Sequence, residues 1–119
     1  MSKPISRPMH GVADYLYAAA IAAAPNLAGF EEEETATLLC RAAGGSTLLA
    51  SLCTRYELGL LKVLPFKVHL LLDAVTGLAA LGAPFLFGFA NNARARNTFI
   101  GFGMLALIVG SLTQPDEMD

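Results

Sequence analysis

Two short patterns in the chain carry chemistry. His10 and Asp14 form one H-x-x-x-D, and His69 and Asp73 form another. On a helix, a spacing of four puts both side chains of each pair on one face. Imidazole and carboxylate are ligands for divalent metals. They are also the groups of a proton relay, and ionisable residues in membrane helices are functional candidates by default. A bis-histidine haem, with His10 and His69 across the iron, is a further possibility, although no other haem signal accompanies it. The simplest role is structural: each pair starts a helix, with Asp near the positive end of the helix dipole.

The elements that position these pairs come from an internal duplication. His10, Asp14, Ala24, Pro25, Leu27, Gly29 and Phe30 recur 59 residues later as His69, Asp73, Ala83, Pro84, Leu86, Gly88 and Phe89. The same shift carries Ala36 to Ala95, Gly44 to Gly103, Leu48 to Leu107 and Thr54 to Thr113. Self-similarity at a fixed period sets the architecture before any local assignment. The repeats run over about residues 10–54 and 69–113 of one domain, residues 1–119, with a linker at about 55–68.

Hydrophobic residues make up 55% of the 119 and charged residues 15%, well below the ~25% charge of soluble domains. Mean hydropathy is +0.53. So few charges cannot coat a small water-facing surface. The expectation is therefore an integral membrane protein, with a soluble alanine-rich bundle as the alternative. Apolar segments at about 12–27, 35–53, 68–87 and 98–112 approach the length that crosses about 30 Å of hydrocarbon. The fold class expected is all-α: a four-transmembrane-helix bundle of two tandem, parallel-oriented helix hairpins. Two crossings per repeat leave both repeats in the same orientation, related by an axis along the membrane normal.

Pro25 and Pro84 should end or kink their helices. The L-x-G-F segments that follow, residues 27–30 and 86–89 with Gly29, Phe30, Gly88 and Phe89, then read as interfacial turns, with the phenylalanines as headgroup-level anchors. Pro65 marks a break before the third helix, and the partly apolar linker suits the membrane surface. Tyr15, Tyr17 and Tyr56 suit the same boundary. Lys3, Arg7, Arg55, Lys62 and Lys67 lie on the face that holds the N-terminus, against Arg94 and Arg96 opposite. The positive-inside rule then places both termini in the cytoplasm. The first nine residues lead into a membrane helix rather than a cleaved signal.

Arg41 interrupts the second apolar segment. It suits a side chain that snorkels toward the acidic run at 31–34, or a ligand or partner contact inside the bundle. Its counterpart, Ile100, shows that the arginine lies outside the shared scaffold. The run at 31–34 reads as a solvated helix start, or as cation collection at a pore mouth. Glycines 44, 45, 77, 101, 103 and 110 suit close helix packing within or between subunits. Cys40 and Cys53 read as small core residues. No nucleophile–base set, phosphate loop or basic nucleic-acid stripe is present, so the expectation is a non-enzyme with no nucleic-acid partner and no required cofactor.

H-x-x-x-D followed by a small-residue–proline turn and G-F resembles the SPW-repeat family of small bacterial integral membrane proteins. The segments LCTRYELG (52–59) and PFKVHLLLD (65–73) resemble that family's linker and second-repeat start, and the likeness covers about residues 7–113. Here Ala24-Pro25-Asn26 and Ala83-Pro84-Phe85 stand where the family has Ser-Pro-Trp, and the chain has no tryptophan. The resemblance implies a four-helix protein of the bacterial inner membrane, surrounded by lipid, and no established reaction. Two functions remain open. One is a scaffold or accessory subunit of a homo-oligomer or larger membrane complex. The other is a transport or binding module in which His10, Asp14, His69 and Asp73 hold a metal or pass protons.

Overall fold

The computed structural model describes residues 3–118. Four helices follow one another: α1 (Arg7–Ala28), α2 (Glu34–Leu52), α3 (Phe66–Leu86) and α4 (Ala93–Ser111). Among the described residues there are no strands, only two isolated bridges, Ile5 with Thr113 and Thr54 with Leu64. The 59-residue shift maps one bridge onto the other. α1 packs chiefly on α2, and α3 on α4, so each repeat is a hairpin. The starts of α1 and α3 meet the ends of α2 and α4 at one end of the bundle. The two hairpins therefore run the same way.

The helices start earlier than the apolar segments do. α1 begins at Arg7 because Ser6 caps it, accepting from Met9 N, and a proline occupies the first turn. α4 begins at Ala93 because the Asn92 side chain accepts from Ala95 N at 3.2 Å. α3 lacks a cap from its own N-cap residue, Pro65. Instead the Glu117 carboxylate, fifty residues on, accepts from Phe66 N at 2.8 Å and Lys67 N at 3.0 Å.

Two expectations are corrected at the far end. Pro25 and Pro84 do not end their helices, which run on to Ala28 and Leu86. Proline has no N–H, so each of these positions forgoes one bond to the carbonyl four residues back, yet the helix continues through its last turn. The chain turns instead at Gly29 and Gly88, with φ of 76° and 78°, the left-handed region that glycine enters without a Cβ penalty. Phe30 N and Phe89 N then bond back to the carbonyls of Pro25 and Pro84, each at 2.9 Å. Phe30 and Phe89 are not surface anchors. Each is 2% exposed and belongs to a core with Ile21, Cys40 and Phe99.

Small residues line the hairpin seams. A Cβ on Gly44 would stand 2.8 Å from the Ala18 carbonyl oxygen and from Ala22 Cβ. One on Gly103, the repeat equivalent, would stand 2.8 Å from the Gly77 oxygen. Large apolar side chains point outward from every helix, among them Leu16, Leu38, Leu71, Leu78, Met104 and Ile108. Among the described residues, α3 alone is both long and apolar enough to cross a membrane by composition. The linker exposes Leu60, Leu61 and Val63 yet is ordered by backbone bonds. Its backbone is tied to the end of α2 through Leu64 N to Cys53 O (2.7 Å) and Arg55 N to Leu64 O (2.8 Å). Both cysteines are free, and Cys40 is buried.

Candidate cation-binding centre

The four motif residues come together at the end of the bundle where α1 and α3 begin. Each histidine touches both aspartates. His10 Nε2 lies 3.1 Å from Asp14 Oδ1 and 3.0 Å from Asp73 Oδ2. His69 Nε2 lies 2.9 Å from Asp14 Oδ2 and 3.2 Å from Asp73 Oδ2. One ligating atom from each residue lies within 4.8 Å of the other three. The helix spacing supplies the contact within each pair, and the parallel arrangement of the hairpins supplies the contacts between them. His10, Asp14 and His69 are buried, and Asp73 is half-buried.

Two threonines set the orientation of the rings. His69 Nδ1 is 2.7 Å from Thr54 Oγ1, and His10 Nδ1 is 2.9 Å from Thr113 Oγ1. Each hydroxyl donates its one proton to the carbonyl four residues back, Ala50 or Val109, at 2.6 Å. Toward the ring each hydroxyl can therefore only accept, so Nδ1 carries hydrogen in both histidines. Nε2 is left facing carboxylates. A bare lone pair facing two carboxylates would be repelled, and the arrangement is satisfied by an imidazolium, by a carboxylic acid that donates to the ring, or by a metal ion. The pairing crosses the repeats, because Thr113 of the second serves His10 of the first, and Thr54 of the first serves His69 of the second.

Aromatic rings close the end of the bundle. Phe66 stands edge-on to His10 at 5.5 Å and stacks near His69 at 6.2 Å. Tyr56 donates to Asp14 Oδ2 at 3.0 Å, so that oxygen is an acceptor on this side. Tyr56 is fully buried at this end of the bundle, and burial pushes its phenol well above the ordinary value. The opposite side is open. A cavity of about 280 Å³ reaches the quartet between α1 and α4, lined by His10, Asp14, Asp73, Tyr17, Leu16 and Leu105 among others. Beyond it, the far half of the bundle is packed with the apolar core around Phe30, Phe89 and Phe99.

Arg41 is not part of this centre. Its guanidinium crosses to the last turns of α1, donating to the Ala22 carbonyl and, at 2.8 Å, to Asn26 Oδ1. The acidic run at 31–34 lies at the opposite end, where Glu33 accepts from its repeat equivalent, Asn92, at 3.5 Å. Sequence reasoning placed Thr54 and Thr113 in the repeat but gave them no role, and it missed Tyr56 and Phe66 as walls of the site. The recurrence of a polar residue at the end of an apolar segment was the available signal for the threonines. Tyr56 aligns with Pro115, so the duplication carries no signal for it.

Asn26 and Phe85, at the positions where tryptophan is expected, are both exposed, so loss of the indoles leaves the interior untouched. No curated protein and no solved structure matches the chain. The model of the SPW repeat domain matches residues 8–113, a span that takes in both hairpins and all four members of the quartet, and the chain belongs to the SPW repeat family.

Proposed function

We propose that this protein is a four-span, non-enzymatic protein of the bacterial inner membrane whose bundle holds a buried cation-binding centre. Helices of 22, 19, 21 and 19 residues extend about 28–33 Å, enough to cross the hydrocarbon. Their outward leucines, valines and phenylalanines suit lipid, while alanine, glycine and the polar quartet fill the inside. Both termini face the cytoplasm on this reading, by the balance of basic residues.

The observation that carries the cation-binding reading is the closed ring of His10, Asp14, His69 and Asp73, with both Nε2 atoms turned inward. A scaffold alone would not need two carboxylates between two rings held this way, since buried ionic groups are weak contributors to stability. The apolar half of the bundle gives an ion no polar route onward, which favours binding over transport. The test is ¹⁵N NMR of the two histidines in the detergent-solubilised chain. The expected result is hydrogen on Nδ1 and a cation, proton or metal, on Nε2 in both. Neutral rings protonated at Nε2 with Nδ1 bare would return the chain to the scaffold reading.

A further inference from the structure

We infer that the quartet is a site for one divalent first-row transition-metal ion of the zinc(II) class, an inference that rests on the cation-binding reading above. His69 carries it furthest. Its side chain is 2% exposed, and Nε2 points between Asp14 Oδ2 at 2.9 Å and Asp73 Oδ2 at 3.2 Å. Despite these distances it makes a well-aligned hydrogen bond to neither. A neutral N–H there would be left buried with no aligned acceptor. A lone pair aimed at an ion between them leaves nothing unsatisfied.

The dimensions agree. Ligands held at about 2.0–2.1 Å around a tetrahedral ion are about 3.3 Å from one another. The nitrogen–oxygen separations run from 2.9 to 3.2 Å, His10 meeting one Asp14 oxygen and His69 the other, and a set of one ligand atom from each residue spans no more than 4.8 Å, so the four side chains need only draw together around the ion. The charge agrees as well. Two neutral imidazoles and two carboxylates sum to minus two, and one divalent ion makes the buried set neutral. Two imidazole nitrogens with two carboxylate oxygens suit zinc and its neighbours better than magnesium or calcium, which prefer all-oxygen shells. Thr54 and Thr113 supply the outer hydrogen bonds that metal-binding histidines require of their second nitrogen. Phe66 and Tyr56 block the end of the bundle, so the ion enters along the cavity, past half-buried Asp73.

The experiment uses the full chain, purified in mild detergent and stripped with a chelator. It is titrated with Co²⁺ and read for ligand-field absorption, then with Zn²⁺ under mass analysis. The expected result is one ion per chain, visible bands for Co²⁺ that Zn²⁺ abolishes, and loss of both in a folded H69Q variant. Should H69Q fail to fold, the wild-type ¹⁵N spectrum decides, because Zn²⁺ must then displace the His10 and His69 Nε2 resonances together. Stoichiometric uptake that leaves those resonances unmoved, or that survives in folded H69Q, overturns the inference. So does an absence of uptake. If both Nε2 atoms then carry protons, the cation-binding reading survives without the metal. If neither does, both fall.

Discussion

Thr54 accepts from His69 Nδ1 at 2.7 Å while donating to the Ala50 carbonyl at 2.6 Å. That relay makes the direction of the ring a property of the last turn of α2, one repeat away from the histidine it serves. Thr54→Val keeps the shape and removes the acceptor. Metal affinity should fall by about 10–100-fold, the usual effect of losing an outer-sphere partner, and Thr113→Val should do the same through His10. Competition against a chromophoric zinc chelator measures both, and an unchanged affinity in both variants would remove the relay from the site.

Tyr56→Phe leaves the ring in place and takes away its hydrogen bond to Asp14. Loss of a buried bond to a charged acceptor should cost about 1.5–3 kcal/mol. Thermal or denaturant unfolding of the solubilised protein checks this. A change below about 0.5 kcal/mol would mean that Asp14 is satisfied without the phenol.

Gly44 and Gly103 touch the backbone of the facing helix, whereas Gly45 and Gly101 face open space. Alanine at 44 or 103 should destabilise the hairpin by more than about 1 kcal/mol, since overpacking a tight seam typically costs 1–3. Alanine at 45 or 101 should be neutral or slightly stabilising, because glycine within a helix is less favourable than alanine by about 1 kcal/mol. The same unfolding assay on all four variants separates seam from surface.

The Glu117 carboxylate is held below its ordinary value of 4.5 by the amides of Lys67 and Phe66. A carboxyl with a lowered folded value stabilises the fold above the unfolded value, and loses that contribution as pH falls through the folded one. The cap on α3 should therefore be intact near neutrality and release only in acid below about pH 4.5. Amide hydrogen exchange at Phe66 and Lys67 should accelerate there, and Glu117→Gln should flatten the response. Because the group is exposed, its removal should cost less than about 1 kcal/mol.

Arg41 and Asn26 pair at 2.8 Å, and the second repeat replaces them with Ile100 and Phe85. A polar pair in one repeat is thus exchanged for an apolar pair in the other. Arg41→Ile together with Asn26→Phe should be less destabilising than the sum of the single changes, with a coupling of at least about 0.5 kcal/mol. A double-mutant cycle by thermal unfolding tests this, and strict additivity would show the two positions to be independent.

Much of this molecule is written locally. The lengths of the apolar segments and the 59-residue recurrence are enough for four helices in two hairpins, because length, hydropathy and repetition need no knowledge of what touches what. Helix ends were less legible. Proline signalled a stop or a kink, but the helices run past Pro25 and Pro84 and the chain turns at Gly29 and Gly88, where glycine takes up positive φ without a Cβ penalty. Phe30 and Phe89 read as surface anchors until the packing buried them.

The centre itself depended on assembly. Repetition shows that His10 is equivalent to His69, not that each meets both Asp14 and Asp73, nor that Thr113 reaches back 103 residues to His10. Those contacts arise because two like-oriented hairpins bring equivalent ends to one place. A one-dimensional pattern identifies the residues that are alike, and only the relative placement of the hairpins makes them neighbours.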